Sequence, residues 1–131
     1  MSIISVNKDP KGITGLFSLE IPKINYMEFE RDIYRILVHT IEGVYYTVGT
    51  LKYWLSTLEA SGYNFVLAVR NTLIHVSNIF QVDKSFHVAY FGENLSGVEQ
   101  KCFLSEKGYK EVRKNINLTT TKINFIELPL W

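Results

Sequence analysis

The chain has 131 residues, 47% of them hydrophobic and 14% aromatic, with a formal net charge of +1. That suffices for one domain with a real core and excludes a disordered chain, which needs low hydrophobicity and high net charge. The balance also lacks the strongly basic total of many nucleic-acid binders, the single cysteine excludes an internal disulfide, and no apolar run approaches the roughly 18 residues of a membrane span.

Met1 to Pro10 lacks the long apolar core of a signal peptide. Asp9-Pro10-Lys11-Gly12 is turn chemistry and closes a short N-terminal extension, taken as residues 1–17. Leu16 to Ile21 reads as a short strand. Tyr34, Ile36 and Val38 alternate with Arg35, Leu37 and His39, a second strand, and Glu42-Gly43 reverses the chain into Val44–Val48.

One segment breaks the period of two. Leu51, Trp54, Leu55 and Leu58 recur at helical spacing and form one apolar face, with Lys52, Ser56 and Glu59 opposite. Thr50 suits the N-cap and Gly62 the left-handed stop, so the spacing predicts a helix over 51–60.

Strand signals then resume. Phe65, Leu67 and Val69 share a face; Leu73–Val76 and Ile79–Val82 are short apolar pieces split by Ser77-Asn78. Phe86, Val88 and Tyr90 alternate with His87, Ala89 and Phe91. After a loop at 92–97, Val98, Gln100, Cys102 and Leu104 complete a second hairpin. That alternation puts Cys102 on the face of Val98 and Leu104, as a buried structural thiol. Ser105 caps a short helix that turns Tyr109 and Val112 inward, weakened by Gly108 by about 1 kcal/mol relative to alanine. Ile123, Phe125 and Leu128-Pro129-Leu130-Trp131 form an apolar tail over 115–131, with room for an added strand. Many short strands and one firm helix predict a mainly-β domain.

Enzyme chemistry finds no support. Gly12 and Gly15 make no phosphate loop, for no lysine–serine pair follows. His39, His75 and His87 have neither metal-ligand spacing nor a neighbouring cysteine or carboxylate cluster, and read as strand or turn residues. Ser77 and Ser105 lack a partner base. Glu28 and Glu30 stand two apart, which at strand spacing shares a face, and read as a solvated edge or turn. No catalytic residue, metal, cofactor or small-molecule substrate is expected. Charge is distributed unevenly: Lys101, Lys107, Lys110, Arg113, Lys114 and Lys122 face only Glu106 and Glu111 in the C-terminal part. Such a basic region would release counterions from nucleic acid, or is simply a solvated helix face.

The order of segments resembles the LytTR family of bacterial DNA-binding domains. Ile24-Asn25-Tyr26-Met27-Glu28 matches its opening pattern, Leu37-Val38-His39-Thr40 its next strand, and Tyr46 with Thr50-Leu51 its aromatic strand and helix start. Phe65 through Arg70-Asn71 to Ile74, then Ser77-Asn78-Ile79 and Leu104-Ser105-Glu106-Lys107, follow in register, so the similarity spans 18–114. The resemblance implies small antiparallel β-sheets in an elongated arrangement with one or two short helices, and DNA read by loop residues. It implies a sequence-specific transcriptional regulator that contacts double-stranded DNA through Tyr34, Arg70 and Lys107, supported by Asn71 and Lys110, with two copies on a repeated site and a possible homodimer. The family domain is usually fused to a phosphorylation-receiving domain; at this length a free-standing cytoplasmic regulator, or a fragment, is expected.

The chain departs from the family pattern at Leu67 and Val69, where basic residues are common, at His75, where asparagine is common, and at Glu106, beside the final serine. Those departures carry the alternative expectation, a protein-interaction or dimerisation module that keeps the fold and has lost DNA specificity.

Overall fold

The computed structural model describes residues 2–116 and 123–127. In chain order the strands and helices are β1 (Ile3–Val6), β2 (Phe17–Glu20), β3 (Tyr26–Glu30), β4 (Arg35–Thr40), β5 (Gly43–Thr47), α1 (Leu51–Ala60), β6 (Phe65–Val69), β7 (Thr72–His75), β8 (Gln81–Asp83), β9 (Val88–Glu93), β10 (Glu99–Phe103), α2 (Glu106–Asn115) and β11 (Asn124–Ile126). They form three sheets, ordered β1-β2, β5-β4-β3-β7-β6 and β10-β9-β8-β11. Every pairing is antiparallel except β11 with β8, which is parallel.

The five-stranded sheet is the middle layer, and both of its faces are covered. Leu73 of β7 points into a core with Met27, Ile36, Val38, Phe65, Val6, Leu19 and Leu58, closed by α1 and the β1–β2 pair. Its neighbour Ile74 points the other way, into a core with Val66, Ala68, Val82, Ala89, Cys102, Leu104 and Val112, closed by the four-stranded sheet and α2. Two covered faces explain why all four residues of β7, including the polar Thr72 and His75, are buried. Ile123 and Phe125 pack against the second core. The segment read as an N-terminal extension carries β1, whose Val6 is buried in the first core.

The predicted helix forms over Leu51–Ala60. The Thr50 hydroxyl accepts the Tyr53 N–H at 3.0 Å. At the other end Gly62, at φ +88°, donates its N–H to Glu59 O, and Tyr63 donates to Leu58 O, a Schellman ending that needs the left-handed glycine. A polar seam fixes the four-stranded sheet on the central one. The Asn25 amide donates to the Gln100 side-chain carbonyl, the Gln100 amide donates to Thr40 O, and the Asn78 amide donates to Ile24 O and to Asn25 Oδ1. Among the described residues no buried side-chain nitrogen or oxygen lacks a partner, which satisfies the requirement for a low-cost buried polar network.

Four details correct the sequence reading. Tyr34 is no strand residue; it ends the β3–β4 turn at φ +51°. Phe86 and His87 precede β9 in a turn, where the Asp83 carboxylate accepts the Ser85 and Phe86 N–H groups and competes with strand pairing. Val98 does not share the buried face of Cys102 and Leu104: the pairing register shifts between Gln100 and Lys101, and Val98 is exposed. Glu28 and Glu30 lie on β3, the centre of its sheet rather than an edge. Lys122 and Leu128–Trp131, to which the basic region and the apolar tail extend, lie outside the described residues.

Candidate nucleic-acid interface

Two turns protrude from one end of the five-stranded sheet. The first, residues 31–34, joins β3 to β4 and ends in Tyr34, 72% exposed, its ring edge-on to Phe29 at 6.1 Å. Its backbone is held by the next residue. Arg35 donates Nη1–H to Tyr34 O at 3.0 Å and Nε–H to Pro10 O at 2.8 Å. Pro10 belongs to a loop that Asp9 organises: the Asp9 carboxylate accepts the N–H groups of Lys11, Ile13 and Thr14 and the Thr14 hydroxyl. The Thr14 hydroxyl and N–H hold that carboxyl well below the usual carboxylate range.

The second turn joins β6 to β7 and presents Arg70 and Asn71, both exposed. The two turns are tied together, since Phe29 N–H donates to Asn71 O at 2.9 Å. Between them and the start of α1 runs an open groove of about 900 Å³, lined by Phe29, Arg31, Thr50, Val69, Arg70 and Asn71 among others, with the acidic Glu30. Planar donors at Arg70 and Asn71 match the bidentate edges of guanine and adenine in a major groove, and Arg31 adds a cation suited to phosphate.

The first turn of α2, which carries Lys107, comes from a distant part of the chain and is tied to β6 just before the second turn. In β6 the register slips between Leu67 and Val69, so Ala68 is a bulge residue whose carbonyl is free of the ladder. That carbonyl accepts both the Ser105 N–H at 2.9 Å and the Ser105 hydroxyl at 3.1 Å. The same hydroxyl accepts Gly108 N–H at 2.9 Å and so caps α2. The approach is close enough that a Cβ on Gly108 would lie 1.9 Å from Ala68 O. Gly108, expected to weaken the helix, is what lets the helix dock.

Lys107 therefore sits in the first turn of a helix pinned two residues before Arg70. Lys110 is one turn further along, exposed and within 3.7 Å of Glu106. At the α2 N-terminus, Glu106 favours the helix dipole, which accounts for an acidic residue where the resemblance implies a basic one. Of the other departures, Val69 lines the groove and Leu67 faces out, 41% exposed. Arg31 and Arg35 were not singled out in the sequence. Arg31 lies in a mixed-charge turn that gives no periodic signal, and Arg35 occupies a strand position where a polar residue alternates normally.

His75, His39 and Cys102 are held by packing and hydrogen bonds within the fold. His75 is buried, stacks on Phe65 and hydrogen-bonds through Nδ1 to Ile24 O at 2.8 Å; burial pushes its pKa down. His39 stacks on Tyr26 and contacts Glu28 at 2.7 Å, which lowers the Glu28 pKa. Burial pushes the Cys102 thiol up to about 12, unlike a reactive cysteine. Among the described residues no group of three or more His, Cys, Asp or Glu is placed to hold a metal, and no helix is long and apolar enough to cross a membrane.

Residues 14–117 match the family model of the LytTr DNA-binding domain. No curated protein matches. Among solved structures, the chain is similar to the LytTr DNA-binding domain of a protein described as a methyl-accepting/DNA response regulator from Bacillus cereus. The TM-score is 0.63 at 15% identity, over 87% of this chain and 95% of that one, a likeness of fold.

Proposed function

The chain belongs to the LytTR family of DNA-binding domains, and we propose that it is a sequence-specific transcriptional regulator that reads duplex DNA with the two turns and the start of α2. The observation that supports this reading is the Ser105–Ala68 latch, which pins the start of α2 to β6 two residues before Arg70, across 37 positions of the chain; on this reading Lys107 and the Arg70–Asn71 turn act on the same duplex. Arg70 pairs with a guanine edge and Asn71 with an adenine edge or a phosphate. Lys107 reaches a base edge or a phosphate, while Lys110 and Arg31 neutralise phosphates; Tyr34 packs on a sugar or donates to a phosphate. Two copies on a repeated site, with or without a dimer contact, would multiply affinity without new chemistry, and such a regulator works in the cytoplasm.

A fluorescence titration against a duplex selected from a randomised pool, repeated at rising salt, tests it. The expected result is tight binding whose logarithm falls linearly with log salt at a slope of about −3, roughly −0.9 for each of three phosphates neutralised. Exposed Leu67 is the observation that favours the alternative of a protein-interaction module. Absence of salt-sensitive binding to any duplex would reject the DNA reading in its favour.

A further inference from the structure

Two non-glycine residues among those described have positive φ, Tyr34 and His87. His87 has a packing reason: its ring stacks on Tyr109 at 4.2 Å, and its carbonyl accepts Leu104 N–H at 2.8 Å. Tyr34 has none of that kind. It is 72% exposed, and its one aromatic neighbour, Phe29, meets it edge-on. A bulky residue rarely adopts this conformation, which is strained and persists only where the surroundings over-determine it. The over-determining group is Arg35, whose guanidinium reaches the Tyr34 and Ile33 carbonyls on one side and Pro10 O on the other. Pro10 is fixed in turn by the Asp9 carboxylate and by the Asn7 amide, which donates to Gly15 O. Residues 7–13 lie before the stretch that the family model matches.

We propose that Arg35 is a positioning residue for DNA reading, and that the Asp9 loop is the anchor through which it holds Tyr34 in its exposed, left-handed pose. The inference rests on the reading that the Tyr34 turn touches DNA. Arg35 donates through Nε and Nη1 to backbone carbonyls, so its action on DNA runs through the turn it holds. The loop acts at one remove: without it the guanidinium loses Pro10 O, swings free, and Tyr34 relaxes to an ordinary conformation that points its ring elsewhere.

The test is a comparison of Asp9→Ala, Arg35→Ala, Tyr34→Ala and the double variant Tyr34→Ala with Arg35→Ala against the unaltered chain, each checked for an intact thermal transition. Each is titrated against the selected duplex and against an unrelated duplex of equal length. Asp9→Ala is decisive because it removes a negative charge. Electrostatics alone makes DNA binding tighter, whereas loss of the anchor makes selective binding weaker. The expected result is three- to tenfold weaker binding of the selected duplex by Asp9→Ala and about tenfold by Arg35→Ala, in the range of one lost base-pair contact. The unrelated duplex keeps its affinity, and Arg35→Ala costs less than about twofold once Tyr34 is already alanine, the non-additivity expected of coupled residues. Asp9→Ala binding as tightly as the unaltered chain, or more tightly, overturns the proposal. So does an Arg35→Ala that weakens both duplexes equally with the salt slope reduced by about one, the mark of a direct phosphate contact. If the unaltered chain fails to distinguish the two duplexes, it is the DNA reading that fails, and this proposal with it.

Discussion

The two protruding turns are stiffened by opposite means. The Arg70 turn rests on packing: the bulge at Ala68, the double hydrogen bond from Ser105 and the glycine-sized gap at residue 108 leave no slack. The Tyr34 turn rests on polar contacts that are exposed apart from the half-buried Arg35–Pro10 bond: one guanidinium, three carbonyls and a carboxylate-capped loop. The first cannot be adjusted without moving a helix. The second can be tuned by single surface residues, so the two halves of the proposed DNA-reading surface should respond differently to mutation and to pH.

The largest expected effect breaks the packed half alone. Gly108→Ala should destabilise the protein by about 3 kcal/mol, because overpacking against backbone must push α2 off β6. Helix propensity by itself predicts a gain of about 1 kcal/mol, so the sign of the change in a denaturant melt separates the two accounts. Ser105→Ala should cost about 1–2 kcal/mol, since the hydroxyl is both the cap of α2 and a ligand of Ala68; a loss below about 0.3 kcal/mol would remove the latch from the argument.

The smallest expected effect is a pH difference. His75 lies on β7, the strand that leaves the Arg70 turn, and its folded pKa is depressed by burial. A histidine with a lowered folded pKa contributes stability that is complete above its unfolded value of about 6.5 and is lost as pH falls below it. The Asp9 carboxyl is also depressed, so its contribution is complete above about 3.9 and is lost only under stronger acid. Between pH 6 and 5, amide protection factors, taken against the intrinsic exchange rate at each pH, should therefore fall around β6–β7 while those of the Asp9 loop hold. His75→Asn should abolish that fall; an unchanged profile in the variant would assign the acid response elsewhere.

Local signals in the sequence carried much of the fold. The helical face from Leu51 to Leu58, with Thr50 and Gly62 at its ends, depends only on neighbours within one or two turns, and it forms with those bounds. Period-two alternation found most strands for the same reason. What escaped was set across the chain. The close approach of Gly108 to Ala68 is invisible to a propensity scale, which sees only the helix around the glycine. The parallel pairing of β11 with β8 joins segments some forty residues apart and follows from no local pattern. Tyr34 continued an alternating run, and nothing local showed that Arg35 would turn its backbone left-handed. The candidate residues were named from an order of segments; the tie between α2 and β6 was not legible there, because the latch at Ala68 couples residues with no sequence relation.

The central claim, that the packed half of this surface reads base edges in duplex DNA, is tested most directly by titrating Arg70→Ala against the selected and the unrelated duplex at two salt concentrations. The account predicts a loss of roughly 1–3 kcal/mol on the selected duplex, the worth of a bidentate base contact, with a much smaller change on the unrelated one. Equal affinity of Arg70→Ala and the unaltered chain for the selected duplex would contradict it.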